Sequence, residues 1–68
     1  MYKIALGITN EPIGVFRLND GAFIPFAPAN TDYQTFKAQI NADEAQLEDA
    51  DGVLMTAEEA KAFVATLP

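Results

Sequence analysis

The apolar side chains change period partway along the chain. Up to Phe26 they alternate, and from Thr31 they recur every three to four positions. Tyr2, Ile4, Leu6 and Ile8 fall on one side of an extended segment, with Lys3, Ala5 and Gly7 on the other. That is the pattern of a strand with one buried face. Thr9-Asn10-Glu11-Pro12 is turn chemistry, and Pro12 has no N–H for a central strand. Residues 13–18 read as a second strand. Asn19-Asp20-Gly21 then separates two apolar runs, a strong hairpin signal. Residues 22–26 read as a third strand, which Pro25 ends or confines to an edge.

Beyond Pro28, which keeps Ala27 extended, the pattern is helical. Asn30 or Thr31 starts a first helix. Thr31 and Gln34 have the spacing of a capping box, and Asp32 suits the positive end of the helix dipole. Tyr33, Phe36 and Ile40 form its apolar stripe, and the helix is expected to run to about Ala45. Residues 47–55 read as a loop with an Asp-Ala-Asp-Gly turn and a short extended piece at Val53-Leu54. Thr56 with Glu59 is the capping box of a second helix, whose stripe is Ala60, Phe63, Val64 and Leu67. Phe63 is expected to be buried against the sheet face of Ile4 and Leu6. The fold class is therefore α+β, one domain over residues 1–68: a small antiparallel three-stranded meander followed by two helices, β-β-β-α-α.

A chain of 68 residues, half of them hydrophobic, has material for one small core. A domain of this size buries only roughly 60% of its unfolded surface. It has no Cys and no His. Disulfides are excluded, a structural zinc site is not expected, and two of the commonest catalytic side chains are missing. The chain is therefore expected not to be an enzyme and to need no cofactor. No apolar run approaches the roughly 20 residues of a membrane span, and the first residues are too short an apolar stretch for a secretory signal. The chain is thus expected to be made as a cytoplasmic product without membrane contact.

The net charge of −6 is unevenly spread. Residues 1–40 balance Glu11, Asp20 and Asp32 against Lys3, Arg17 and Lys37. Residues 41–68 hold seven acids and only Lys61. The acidic half disfavours direct binding to nucleic acid. It either keeps the protein soluble or suits a basic protein surface. With Gly52 at the sixth position of a calcium loop, Asp49, Asp51 and Glu58 fall at positions 3, 5 and 12, but Leu47 and Met55 replace ligands at 1 and 9. That makes a plain Asp-Gly turn the better reading, with no metal site. The four glycines have no phosphate-loop spacing. The stiff segment Phe23-Ile24-Pro25-Phe26-Ala27-Pro28 is the candidate partner-contact surface, through Phe23, Pro25, Phe26 and Pro28. By alternation Phe23 and Pro25 face one way and Ile24 and Phe26 the other, so one pair is expected in the core.

Residues 20–40 carry a resemblance. Ile24, Pro25, Pro28, Asn30, Asp32, Tyr33 and Phe36 match Ile-Pro-x-Asp-Pro-x-Asn-x-Asp-Tyr-x-x-Tyr/Phe/Leu. The segment resembles one in small tailed-bacteriophage structural or tail-fibre-associated proteins. Ala27 stands where that family has Asp, Thr31 stands where it has Arg, and its later Trp and Gly-Asn-Thr-Pro stretch is missing. The resemblance covers about a third of the chain. It implies a virion structural or accessory protein of the tail, baseplate, fibre attachment or capsid decoration. Such a protein would contact other phage structural proteins in a multi-copy assembly, in the virion and, before assembly, in the host cytoplasm. A soluble acidic inhibitor or regulator of a host protein, and a tail-fibre assembly chaperone, are the alternatives.

Overall fold

A four-stranded sheet in the order β3-β2-β1-β4 carries two helices on one of its faces in the computed structural model, which describes residues 1–68. The strands are β1 (Tyr2–Leu6), β2 (Pro12–Arg17), β3 (Ala22–Pro25) and β4 (Leu47–Glu48); the helices are α1 (Thr31–Asn41) and α2 (Ala57–Ala65). β1, β2 and β3 form the antiparallel meander anticipated from the sequence. The sheet is nonetheless mixed, because β4 pairs in parallel with β1, Tyr2 opposite Leu47 and Lys3 opposite Glu48. The segment read as a loop thus supplies an edge strand. Glu48 also bridges Leu54, which doubles the chain back over that edge.

The β1 pattern holds only for its first half. Tyr2 and Ile4 are buried, whereas Leu6 is exposed and Ile8 fully so. The pairing slips between Ala5 and Leu6, where Leu6 meets Pro12. An irregularity of this kind adds a residue on one strand and re-aims the side chains beyond it. The chain then turns, with Gly7 N–H donating to the Glu11 carbonyl and Asn10 at a positive φ of 62°. The next turn matches expectation: Gly21, at φ 72°, donates to the Arg17 carbonyl. Arg17 forks onto Asp20 at 2.9 and 3.1 Å, and Asp20 also accepts from the Ala22 N–H.

Asn30 caps α1, its side chain accepting from the Tyr33 N–H at 3.1 Å; Gln34 reaches back to the Pro28 carbonyl instead of forming a box with Thr31. The helix ends at Asn41, four residues before the expected Ala45. Asp43 takes a left-handed φ of 59°, and the Glu44 N–H closes onto the Gln39 carbonyl. That turn frees residues 45–48 to reach β1. The Thr56–Glu59 capping box of α2 is present in both directions.

The core lies between the helices and one sheet face. Val15, Ile24, Tyr33, Phe36, Ile40 and Leu47 are its most deeply buried members, joined by Tyr2, Ile4, Ala60 and Val64. Phe63 departs from expectation. Leu6 does not line this face, and α2 packs chiefly on α1, turning Ala60 and Val64 inward. Phe63 is left partly buried at the margin, its ring 6.0 Å from that of Phe26. Phe63→Ala is therefore expected to cost about 1–2 kcal/mol, below the roughly 3–5 kcal/mol of a fully enclosed Phe. A urea melt of the variant checks this, and it should remain folded.

Two tyrosines tie the layers together. The Tyr2 hydroxyl donates to Gln39 at 2.5 Å, and the Tyr33 hydroxyl to the Pro68 carbonyl at 2.6 Å. Burial pushes both phenols above their ordinary value near 10; at Tyr2 the Arg17 charge opposes this and Asp32 adds to it. The unfolded chain thus releases these protons first. Stability is full below pH 10 and falls as pH rises through the folded-state values. Urea midpoints should drop above about pH 10, in step with tyrosinate absorbance. A flat profile to about pH 11 would contradict this packing.

Candidate functional site

Strand alternation sends one set of side chains into the core and the other to a sheet face that no helix covers. The strand register gives the outward set. A central row runs Glu48, Lys3, Phe16, Phe23 across the four strands. Ala5, Gly14 and Pro25 form the next row. Leu18, whose N–H donates to the Met1 carbonyl, extends the face at the other side. Leu54 joins it beside Glu48 through the bridge.

This face gathers apolar surface. Nine large hydrophobics are exposed in the chain: Met1, Leu6, Ile8, Ile13, Phe16, Leu18, Phe23, Val53 and Leu54. Five of these, Met1, Phe16, Leu18, Phe23 and Leu54, belong to the uncovered face by register. Phe16 and Phe23 meet edge to face, with ring centroids 5.7 Å apart. The Phe23 ring folds over Gly14, where a Cβ would stand 2.8 Å from it. The two rings are thus held in place while remaining 40% and 46% exposed. Contiguous apolar surface of this kind marks contact sites in soluble domains.

Both sheet edges are partly blocked to strand addition. Pro25 has no N–H, and its carbonyl accepts from Ala27 at 2.8 Å. At the other edge, Met55 N–H donates to Leu47 and Asp49 N–H to Val53.

The structure divides the four residues singled out from the sequence. Phe23 is exposed on the open face, and Pro25 is partly buried beside it. Phe26 turns the other way and packs against the core, 5.6 Å from Tyr33 and 6.0 Å from Phe63. Pro28 is exposed but lies past β3 in the turn before α1. Met1, Phe16, Leu18 and Leu54 were missed. Phe16 had a signal: counting outward from the Asn19-Asp20-Gly21 turn places it opposite Phe23. Leu54 had none, since its position depends on β4.

The acidic segment does not converge on a centre. Asp49 accepts the N–H groups of Asp51 and Val53, Glu59 accepts that of Thr56, and Asp43 pairs with Lys61 at 3.0 Å. No group of three acidic side chains could hold a metal ion. The Asp49–Gly52 segment is a turn, with Gly52 at φ 83°. Elsewhere, the Arg17 guanidinium holds the Asp20 carboxyl below the usual carboxylate range, and Asp20 in turn raises Arg17. This exposed pair pins a turn. A shallow cavity of about 190 Å³ opens between the end of α1 and the start of α2, lined by Ile40, Leu47, Met55, Ala60 and their neighbours. Its one titratable side chain is Asp43, already paired with Lys61. It therefore offers no acid–base pair. No helix is long and apolar enough to cross a membrane.

No protein-family model, curated protein or solved structure matches the chain.

Proposed function

We propose that this chain acts by protein–protein contact, without catalysis, as a structural or accessory protein of a bacteriophage virion. The observation that carries the contact reading is the uncovered sheet face, on which Phe16 and Phe23 hold an ordered aromatic surface among Met1, Leu18 and Leu54. The residue inventory supports a non-catalytic role, because there is no His or Cys and the cavity between α1 and α2 has no acid–base pair. The virion assignment is supported by the resemblance of residues 20–40 to tailed-phage proteins. The place of action in this reading is the tail, baseplate, fibre attachment or capsid surface. The partners are other phage structural proteins, with no direct contact to nucleic acid or membrane. Mass spectrometry of purified particles tests it: the chain should be present in reproducible copy number. Clear expression during infection with reproducible absence from particles would overturn it.

One observation favours a second reading. The acids from Asp43 to Glu59 lie at the surface, and only Asp43 among them is ion-paired. Such a surface suits an acidic inhibitor of a basic host protein. A fibre-assembly chaperone is the remaining alternative. Pull-down from infected cells separates the two: a host enzyme as main partner favours the inhibitor, and a fibre subunit as main partner, with this chain absent from mature particles, favours the chaperone.

A further inference from the structure

The segment between α1 and β4 leaves main-chain groups unused. The N–H and the carbonyl of Ala45 have no partner within the chain, although the residue is half-buried. Main-chain groups withdrawn from solvent are nearly always paired, by protein or by water. Ala45 also lines two adjoining depressions. One is the cavity of about 190 Å³ between α1 and α2, floored by the buried Ile40, Leu47 and Ala60. The other is lined by Met1, Asp43, Glu44, Ala45 and Gln46. Asp43, Ala45 and Gln46 belong to both, so the two form one groove along residues 43–46.

Three features decide what fits this groove. The unused N–H and carbonyl of Ala45 suit an extended main chain, which gains affinity from such groups. An apolar cavity of ~150 Å³ has room for a benzene ring. The cavity of about 190 Å³ therefore has room for one aliphatic side chain. No Lys or Arg lines either depression, whereas Asp43 and Glu44 do. Glu44 has no ion pair, and Asp43 has only the exposed one with Lys61. An acidic segment is repelled there and a basic one is drawn in. Side chains two positions apart share one face of an extended chain. We infer that the groove receives an extended segment of a basic partner protein. An aliphatic side chain of that segment fills the cavity, a Lys or Arg two positions along meets Glu44 and Asp43, and its main chain pairs with Ala45. This rests on the reading that the protein acts by contact. It does not rest on the sheet face, since Phe16 and Phe23 line neither depression. Glu58 also lies outside the groove. With one anchoring side chain and exposed ion pairs, an isolated peptide should bind weakly, with a Kd on the order of 1 mM.

NMR titration of the full chain with the blocked peptide Lys-Ser-Leu-Ser-Lys tests this. The amide signals of Ala45, Gln46 and Leu47 should shift in a saturable way. The peptides Glu-Ser-Leu-Ser-Glu and Lys-Ser-Ser-Ser-Lys should each bind at least about tenfold more weakly. Ala57→Leu, at an exposed position on the cavity wall, should weaken binding at least about fivefold by occupying the space. Glu44→Lys, also exposed, should weaken it about threefold or more. Phe23→Glu should leave it unchanged, which separates the groove from the sheet face. No shift at Ala45–Leu47 up to about 10 mM peptide overturns the inference and leaves the sheet-face reading standing. Shifts confined to Phe16 and Phe23 also overturn it and move the segment to the open sheet. Equal binding of the acidic peptide, or affinity unchanged by both Ala57→Leu and Glu44→Lys, overturns it as well.

Discussion

Phe36→Ala is expected to leave the isolated chain largely unfolded at room temperature. Phe36 is fully enclosed, at the middle of the α1 stripe between Tyr33 and Ile40. Its ring meets that of Tyr2 edge to face, with centroids 4.9 Å apart, and so joins α1 to β1. Truncation removes the buried ring and leaves a cavity that two tightly anchored elements cannot close. Changes of this type cost roughly 3–5 kcal/mol. A domain of this size has only about 3–5 kcal/mol in total. Circular dichroism and a urea melt check the outcome, with Phe63→Ala as the comparison. If the two variants lose similar stability, the placement of Phe36 at the centre and Phe63 at the margin is wrong.

Gly14→Val is expected to be nearly as damaging, for the opposite reason. Gly14 lies on β2 between Ala5 and Pro25, facing the open side. A Cβ there would collide with the Ile24 carbonyl and stand 2.8 Å from the Phe23 ring. The ring can swing away, but the Ile24 carbonyl is backbone of a strand paired to β2. Relief requires β3 to shift, which disturbs the fully buried Val15 and Ile24 beneath. Overpacking of this kind costs about 3 kcal/mol. Gly7→Ala offers the contrast. A Cβ there would meet the Ile13 side chain at 3.0 Å, and that side chain is half exposed and free to move. Thermal melts should therefore separate the two substitutions clearly, and equal losses would contradict the seating of Phe23 over Gly14.

The parts of the fold that local chemistry dictates were legible in the sequence. Asn19-Asp20-Gly21 fixed a hairpin, Pro25 an edge, and the Thr56–Glu59 box the start of α2. The parts that depend on distant pairing were not. β4 is two residues long and finds its partner in Tyr2 and Lys3, about forty-five positions away. Nothing in the sequence near Leu47 announces a parallel strand. The exposure of Leu6 comes from a register slip against Pro12, and the early end of α1 from a left-handed Asp43. Alternation alone foresees neither. The candidate surface was half visible. Phe23 was identified, but Phe26 belongs to the core, because alternation past Pro25 returns it to the side of Ile24, Tyr33 and Phe63. Phe16 was overlooked, although the same hairpin that positions Phe23 places it directly opposite.

The claim that the open sheet face receives the partner is tested most directly by photo-crosslinking in cells that produce the protein with its partners. A photoreactive amino acid in place of Phe23 samples the sheet face, and one in place of Glu58 samples the first turn of α2 in the acidic segment. The account predicts a discrete crosslinked protein band, to this chain or another, from position 23 and none from position 58. A band from position 58 alone would contradict it and would place the contact on the acidic side of the molecule.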